Sequence, residues 1–205
     1  MAIIKHGNNA LANITAFPSA VSTGKPVLIS TATASSSASI EFTSGIDSTY
    51  DVYQFEFINI HPATDNANFS FQADTGTNTN YNQTITSTYF ASYQTEDGST
   101  AALQYVTGQD QAQGTGFQTL VDAVGNGNDE SCSGTLQIFQ PSSSAFVKHF
   151  IARSHGYNGS DYSTDLFCAG YINTTTAITR VQFKFSSGNI DAGTIKMSGI
   201  SAWVL

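Results

Sequence analysis

Carboxylates, histidines and tyrosines are the residues of this chain with chemistry to offer, and their spacing decides how much. Four local acidic pairs stand out: Asp47 with Asp51, Glu96 with Asp97, Asp129 with Glu130, and Asp161 with Asp165. Two carboxyls held across a glycosidic bond would cleave a sugar, and hard oxygen ligands on one loop would bind calcium. The richest oxygen-bearing loop offers Asn126, Asn128, Asp129 and Glu130 as candidate ligands, with Glu96-Asp97-Gly98 second. Neither follows the EF-hand spacing. All four pairs fall at strand ends or in loops, where solvated turn carboxylates are expected. His149 and His155 are six residues apart, outside the spacing of common zinc sites. No Gly-x-Ser-x-Gly elbow occurs, and Gly114-x-Gly116 lacks the third glycine of a phosphate-cradling loop. The residues predict no enzyme, no cofactor and no metal centre.

Recognition is a second kind of chemistry. The segment Tyr157-Asn158-Gly159-Ser160-Asp161-Tyr162 sets rings beside amide and carboxylate groups. Rings stack on the apolar faces of sugars, and short polar side chains bond the hydroxyls. Tyr157, Asn158, Asp161 and Tyr162 are therefore the candidate glycan contacts. The middle of the chain, Thr75 to Asn126, is also rich in Tyr and Gln. Such a long connection is often functional, although its tyrosines could equally serve to finish the sheets.

Composition narrows the partners. The chain has 205 residues, 40% of them hydrophobic, with 14 Phe and 9 Tyr, enough for the core of one domain. Only 11% are charged, and the formal net charge is −8. The seven Lys and Arg are scattered, so the clustered cations that displace phosphate counterions are missing and nucleic acid is not an expected partner. No apolar stretch reaches the length of about 18 residues that spans a bilayer, so no membrane insertion is expected. The opening residues Met1 to His6 show no signal-peptide pattern. Cys168, in an apolar run, is expected to be a buried small hydrophobe; a disulfide to Cys132 is the alternative.

The elements that must position these residues read as strands. Residues 1–26 carry apolar clusters at Ile3, Ile4, Leu11, Ile14 and Phe17 between turn residues. They form either an arm docking on a neighbour or a wrap across their own domain. Residues 27–205 form one domain. Its strongest signal is Asp51 to Ile60: Tyr53, Phe55 and Phe57 share one face, and Val52, Gln54, Glu56, Ile58 and Ile60 the other. About nine such strands, divided by Gly, Asn, Asp and Ser clusters, predict an all-β, antiparallel, two-sheet β-sandwich of jelly-roll type. One short helix is predicted near 117–124, where Phe117, Leu120, Val121 and Val124 recur at helical spacing. Trp203, in the apolar end of the chain, either closes the core or marks a subunit interface.

Two blocks carry a resemblance. One is the Gly-rich turn and terminal strand Ser187-Gly188-Asn189-Ile190-Asp191-Ala192-Gly193-Thr194-Ile195-Lys196-Met197-Ser198-Gly199-Ile200. The other is Phe42 to Phe57, followed by Ile60-His61-Pro62-Ala63-Thr64-Asp65. From about residue 27 onward the chain resembles virion structural proteins of marine tailed bacteriophages, cyanophages among them, a family with little assigned chemistry. The resemblance implies a non-enzymatic virion protein, localised in the particle, in contact with other tail or capsid proteins. A tail, fibre or surface-attached appendage module is the leading expectation, homo-oligomeric and by preference trimeric. A capsid decoration protein is the first alternative, and an adhesin binding host surface glycan is the second.

Overall fold

The computed structural model describes residues 25–201. The interface candidates Ile3, Ile4, Leu11, Ile14, Phe17 and Trp203, and nearly all of the expected arm, lie outside them. Thirteen strands and no helix occur among the described residues. They are β1 (Val27–Thr33), β2 (Ile40–Phe42), β3 (Val52–Pro62), β4 (Ala67–Thr75), β5 (Ile85–Thr95), β6 (Ala101–Tyr105) and β7 (Ala112–Gly114). The rest are β8 (Gln118–Val124), β9 (Cys132–Phe139), β10 (Lys148–Asn158), β11 (Tyr162–Ile172), β12 (Ile178–Phe185) and β13 (Ile190–Ile200).

The fold is all-β, antiparallel and sandwich-like, as expected, and it is nearly closed into a barrel. All thirteen strands join one hydrogen-bonded sheet that folds over on itself. A single register pair, Asn158 with Val124, connects β10 to β8. That seam separates a large layer, β1-β13-β3-β9-β10-β11-β5 with β6 and β7 beyond, from a small layer, β8-β4-β12-β2. Alternation along each strand turns an apolar face into the gap. Phenylalanines then meet across it: Phe55 lies 5.4 Å from both Phe42 and Phe183, Phe57 lies 5.3 Å from Phe69, and Phe150 lies 5.1 Å from Phe71. All six are buried.

Two local expectations are corrected. Residues 118–124 are strand, not helix. Flanking glycines leave too few residues to nucleate a helix. The apparent helical spacing comes from a bulged strand, whose pairing with β4 shifts register twice and in which Ala123 takes φ +49°. Bulging lets Leu120 and Val121, neighbours in sequence, both be buried. The same device acts in β3. Asn59 takes φ +49°, the register shifts between Phe57 and Ile60, and Ile60 crosses to the buried face of Tyr53, Phe55 and Phe57. Gly193 in β13 answers that bulge with φ +119°, and a Cβ there would come within 2.6 Å of the Asn59 carbonyl oxygen. Cys168 is a buried small hydrophobe, as expected, and does not pair with Cys132. Both are buried free thiols, on β9 and β11 with β10 between them, and burial pushes the Cys168 thiol up to about 12.

The long middle segment is fastened to the sandwich by buried polar side chains. The Gln72 amide donates to the carbonyls of Gln83, at 3.0 Å, and Gly116, at 2.8 Å. Gln118 donates to the Gln109 carbonyl at 2.8 Å and accepts from the Ser87 hydroxyl at 2.6 Å. Asp74 accepts from the Tyr81 N–H at 2.9 Å and the Gln83 amide at 3.0 Å. Gln72, Asp74 and Gln118 are all buried, so each replaces water as the partner of a loop that sheet hydrogen bonds do not reach.

Candidate functional site

The strand directions gather six loops at one end of the sandwich: 34–39, 63–66, 96–100, 125–131, 159–161 and 186–189. Asp65, Glu96, Asp97, Asp129, Glu130 and Asp161 stand on these loops, with Asp191 at the start of β13. No Lys or Arg stands on any of the six. Most of the acidic excess is thereby placed at one pole.

Most carboxylates there have local work. The Gly127 N–H donates to Glu130, whose carboxylate packs against Gly125 and Gly127, so a Cβ at either would have to displace it. Asn126 donates its N–H to Asp65 at 3.3 Å. Asn128, Asp129 and Glu130 share a depression with His61 and Asp191. His61 Nδ1 is 3.7 Å from Asp191, and its Nε2 is 3.1 Å from the Gly127 carbonyl oxygen. Among the described residues, no group of three or more His, Cys, Asp or Glu is disposed to hold a metal. Asp97 is a turn acceptor: the Ser99 N–H donates to it at 2.9 Å, and bonds from Ser99 hold its carboxyl down at about 2. At the opposite end, Asp47 accepts from the Thr49 N–H at 2.7 Å and the Tyr53 hydroxyl at 3.0 Å.

The candidate glycan residues occupy the β10–β11 hairpin. The Tyr157 hydroxyl donates to Asp161 at 3.3 Å. A hydrogen bond with Glu96, from the β5–β6 hairpin, and the charges of Glu96 and Asp161 push the phenol above its ordinary value. Asn158 accepts the Ser160 N–H at 2.9 Å and closes the turn. The Tyr162 ring lies 5.5 Å from that of Tyr93. Tyr157 pairs in register with Ser163, and Tyr162 with Asn158. The two tyrosines thus sit in adjacent rows and project to opposite sides of the sheet. They do not form one stacking platform. A depression lined by Glu96, Asp97, Ser160, Asp161 and Tyr162 lies between the two hairpins.

A different surface emerges on the outer face of the large layer, away from the core. One register row runs Tyr105, Phe90, Phe167, Arg153, Thr135, Glu56, Lys196 across β6, β5, β11, β10, β9, β3 and β13. The rings of Phe90 and Phe167 are stacked at 4.8 Å and 4°. The Arg153 guanidinium lies 4.9 Å over Phe167 and donates to Asp165 at 2.9 Å. Leu103 (74% exposed), Ile151 (53%), Tyr105 (52%) and Phe90 (40%) make the middle of this half-face apolar and open, with His149, His155, Thr88 and Gln94 on the same side around it. The paired rings occupy each other's faces, so the surface presents ring edges and aliphatic groups rather than a free ring plane. Sequence reasoning missed it. The available signal was that Leu166-Phe167-Cys168-Ala169-Gly170-Tyr171 and Tyr89-Phe90-Ala91 lack the polar alternation of a strand with one wet face. Comparison with protein-family models, with curated proteins and with solved structures finds no match for this chain.

Proposed function

We propose that this chain is a non-enzymatic structural protein of a tailed-phage virion, a tail, fibre or surface-attached module that works through protein contacts and assembles as a homo-oligomer. The resemblance of the two sequence blocks supplies the particle. The observation that favours an assembly role is the open apolar half-face of Phe90, Leu103, Tyr105, Ile151 and Phe167 on an otherwise weakly charged sandwich. Contiguous exposed apolar patches of this kind mark interaction surfaces. Asp47, Asp65, Asp97, Glu130, Asp161 and Asp165 accept hydrogen bonds from neighbouring groups, which gives the acidic pairs a structural reading. The acidic pole repels phosphate backbones, in keeping with partners other than nucleic acid.

The test is copy number and position in purified virions, by quantitative mass spectrometry and labelled-antibody electron microscopy. A few to a few dozen copies at the tail support the appendage reading. Hundreds over the head replace it with capsid decoration, and absence from particles removes both. An adhesin reading draws on the depression between the β5–β6 and β10–β11 hairpins, which sets Tyr162 beside Glu96 and Asp161. Glycan-array binding lost on Tyr162→Ala would favour it; an array with no binding would end it.

A further inference from the structure

We infer that the apolar half of the outer face, formed by β10, β11, β5 and β6, is where a second copy of this chain packs, face to face about a two-fold axis. The inference deepens the assembly reading and rests on it. Three observations choose the occupant.

The first is charge. At −8 overall, two copies repel unless they meet where charge is absent or cancelled. On this half-face the charged pair Arg153 and Asp165 neutralise each other at 2.9 Å. Asp110 stands at the rim, accepting from the Tyr105 hydroxyl at 2.5 Å. The acidic pole lies beyond the strand ends, and an axis running across the strands sends the two acidic poles to opposite sides of a pair.

The second is area. Strands β10, β11 and β5 have 11 residues each, and β6 has 5. At about 3.3 Å per residue and about 4.8 Å per strand they cover roughly 600 Å² in projection. Side-chain relief adds to this, which brings the face into the range of about 600–1,000 Å² per partner found in stable pairs.

The third is composition. Exposed Phe, Tyr, Leu and Ile surround one neutralised Arg, with His155 bonded to Ser163 and His149 toward the edge, an apolar centre with a polar rim of the kind homodimer interfaces have. Sheets packed face to face need this kind of aliphatic and ring-edge relief to interdigitate.

Sedimentation velocity of the full chain, from micromolar to near-millimolar concentration, tests this. Leu103→Lys and Ile151→Lys alter exposed residues of the face. Ile58→Lys, at an exposed site on the outer side of β3, is the control. The expected result is a wild-type dimer, with dissociation constants raised at least about 30-fold in the two face variants, the change that follows from losing a contact of about 2 kcal/mol. The control should still dimerise, and all three variants should melt within a few degrees of wild type when dilute. A wild-type monomer at the highest concentration would overturn the inference, whether residues 1–24 or another protein then covers the face. A trimer, or a dimer that persists in both face variants, would place the contact elsewhere and overturn it too. These failures leave the virion reading standing, because that reading is decided by finding the chain in particles.

Discussion

The outer face of the large layer divides along β9 and β10. On β13, β3 and β9 it carries Lys196, Glu56, Gln54, Gln137 and Thr135; Gln137 donates to Gln54 at 2.8 Å. On β10, β11, β5 and β6 the same side carries Ile151, Phe167, Phe90, Leu103 and Tyr105. Strand geometry is common to both halves, and so is the phenylalanine core behind them. The difference teaches that one half is finished by water, whereas the other has the apolar surface of a strand with two buried faces and only one buried within the monomer.

The largest effect tests whether the core really is common. Phe55→Ala behind the polar half and Phe150→Ala behind the apolar half should each cost about 3–5 kcal/mol in urea unfolding, because each empties a fully buried ring site. Costs that differ several-fold would break the comparison. Next comes Lys148, buried at the start of the boundary strand β10. Its ammonium donates to the carbonyls of Ser143, Phe146 and Thr174 at 2.6, 3.0 and 3.1 Å and ties two loops to the sheet. Lys148→Met removes all three donors and should cost about 2–3 kcal/mol. A neutral result would mean that those loops hold without the tie.

Asp122, on β8 across the gap from Tyr89, gives a smaller effect of opposite sign. Burial raises its carboxyl above the ordinary value. The folded chain therefore holds this proton more tightly than the unfolded chain does, and the resulting stability is lost as pH rises through the raised value. Asp122→Asn should raise the urea midpoint at pH 7 and change it little near pH 4. An equal change at both would remove ionisation as the cause. The smallest effects separate the two outer halves directly. Gln54→Ala and Phe90→Ala should each cost the monomer under about 1 kcal/mol, with Phe90 the larger because it loses the stacking on Phe167. A Phe90 cost of core size would show that its half-face is completed within the monomer.

Legibility in the sequence followed how local the deciding interaction was. The inward set Tyr53, Phe55 and Phe57 was readable because alternation is a local property of one strand. Ile60 was not, since the bulge that turns it inward is matched by Gly193 on a strand far along the chain. Strand β8 looked helical because two buried neighbours in a bulge mimic a helical repeat. Tyr157 and Tyr162 suggested a single site by their nearness, but the hairpin register sends them to opposite sides. The apolar runs around Phe90 and Phe167 hinted locally at a dry outer face, but that the two rings stack was not readable, for only the pairing of β5 with β11 brings them together.

The sequence by itself determined an all-β chain with antiparallel strands, a phenylalanine-filled interior, turn-capping carboxylates and a charge balance unsuited to nucleic acid. These follow from period-two patterning, turn chemistry and composition, which act over a few residues or over none. Tertiary structure alone decided which strands are neighbours. It thereby decided that the carboxylates gather at one pole, that buried glutamines fasten the long middle segment, and that an apolar half-face stays open. Register and strand order are set by the packing of the whole core at once, and no single stretch of the chain encodes them.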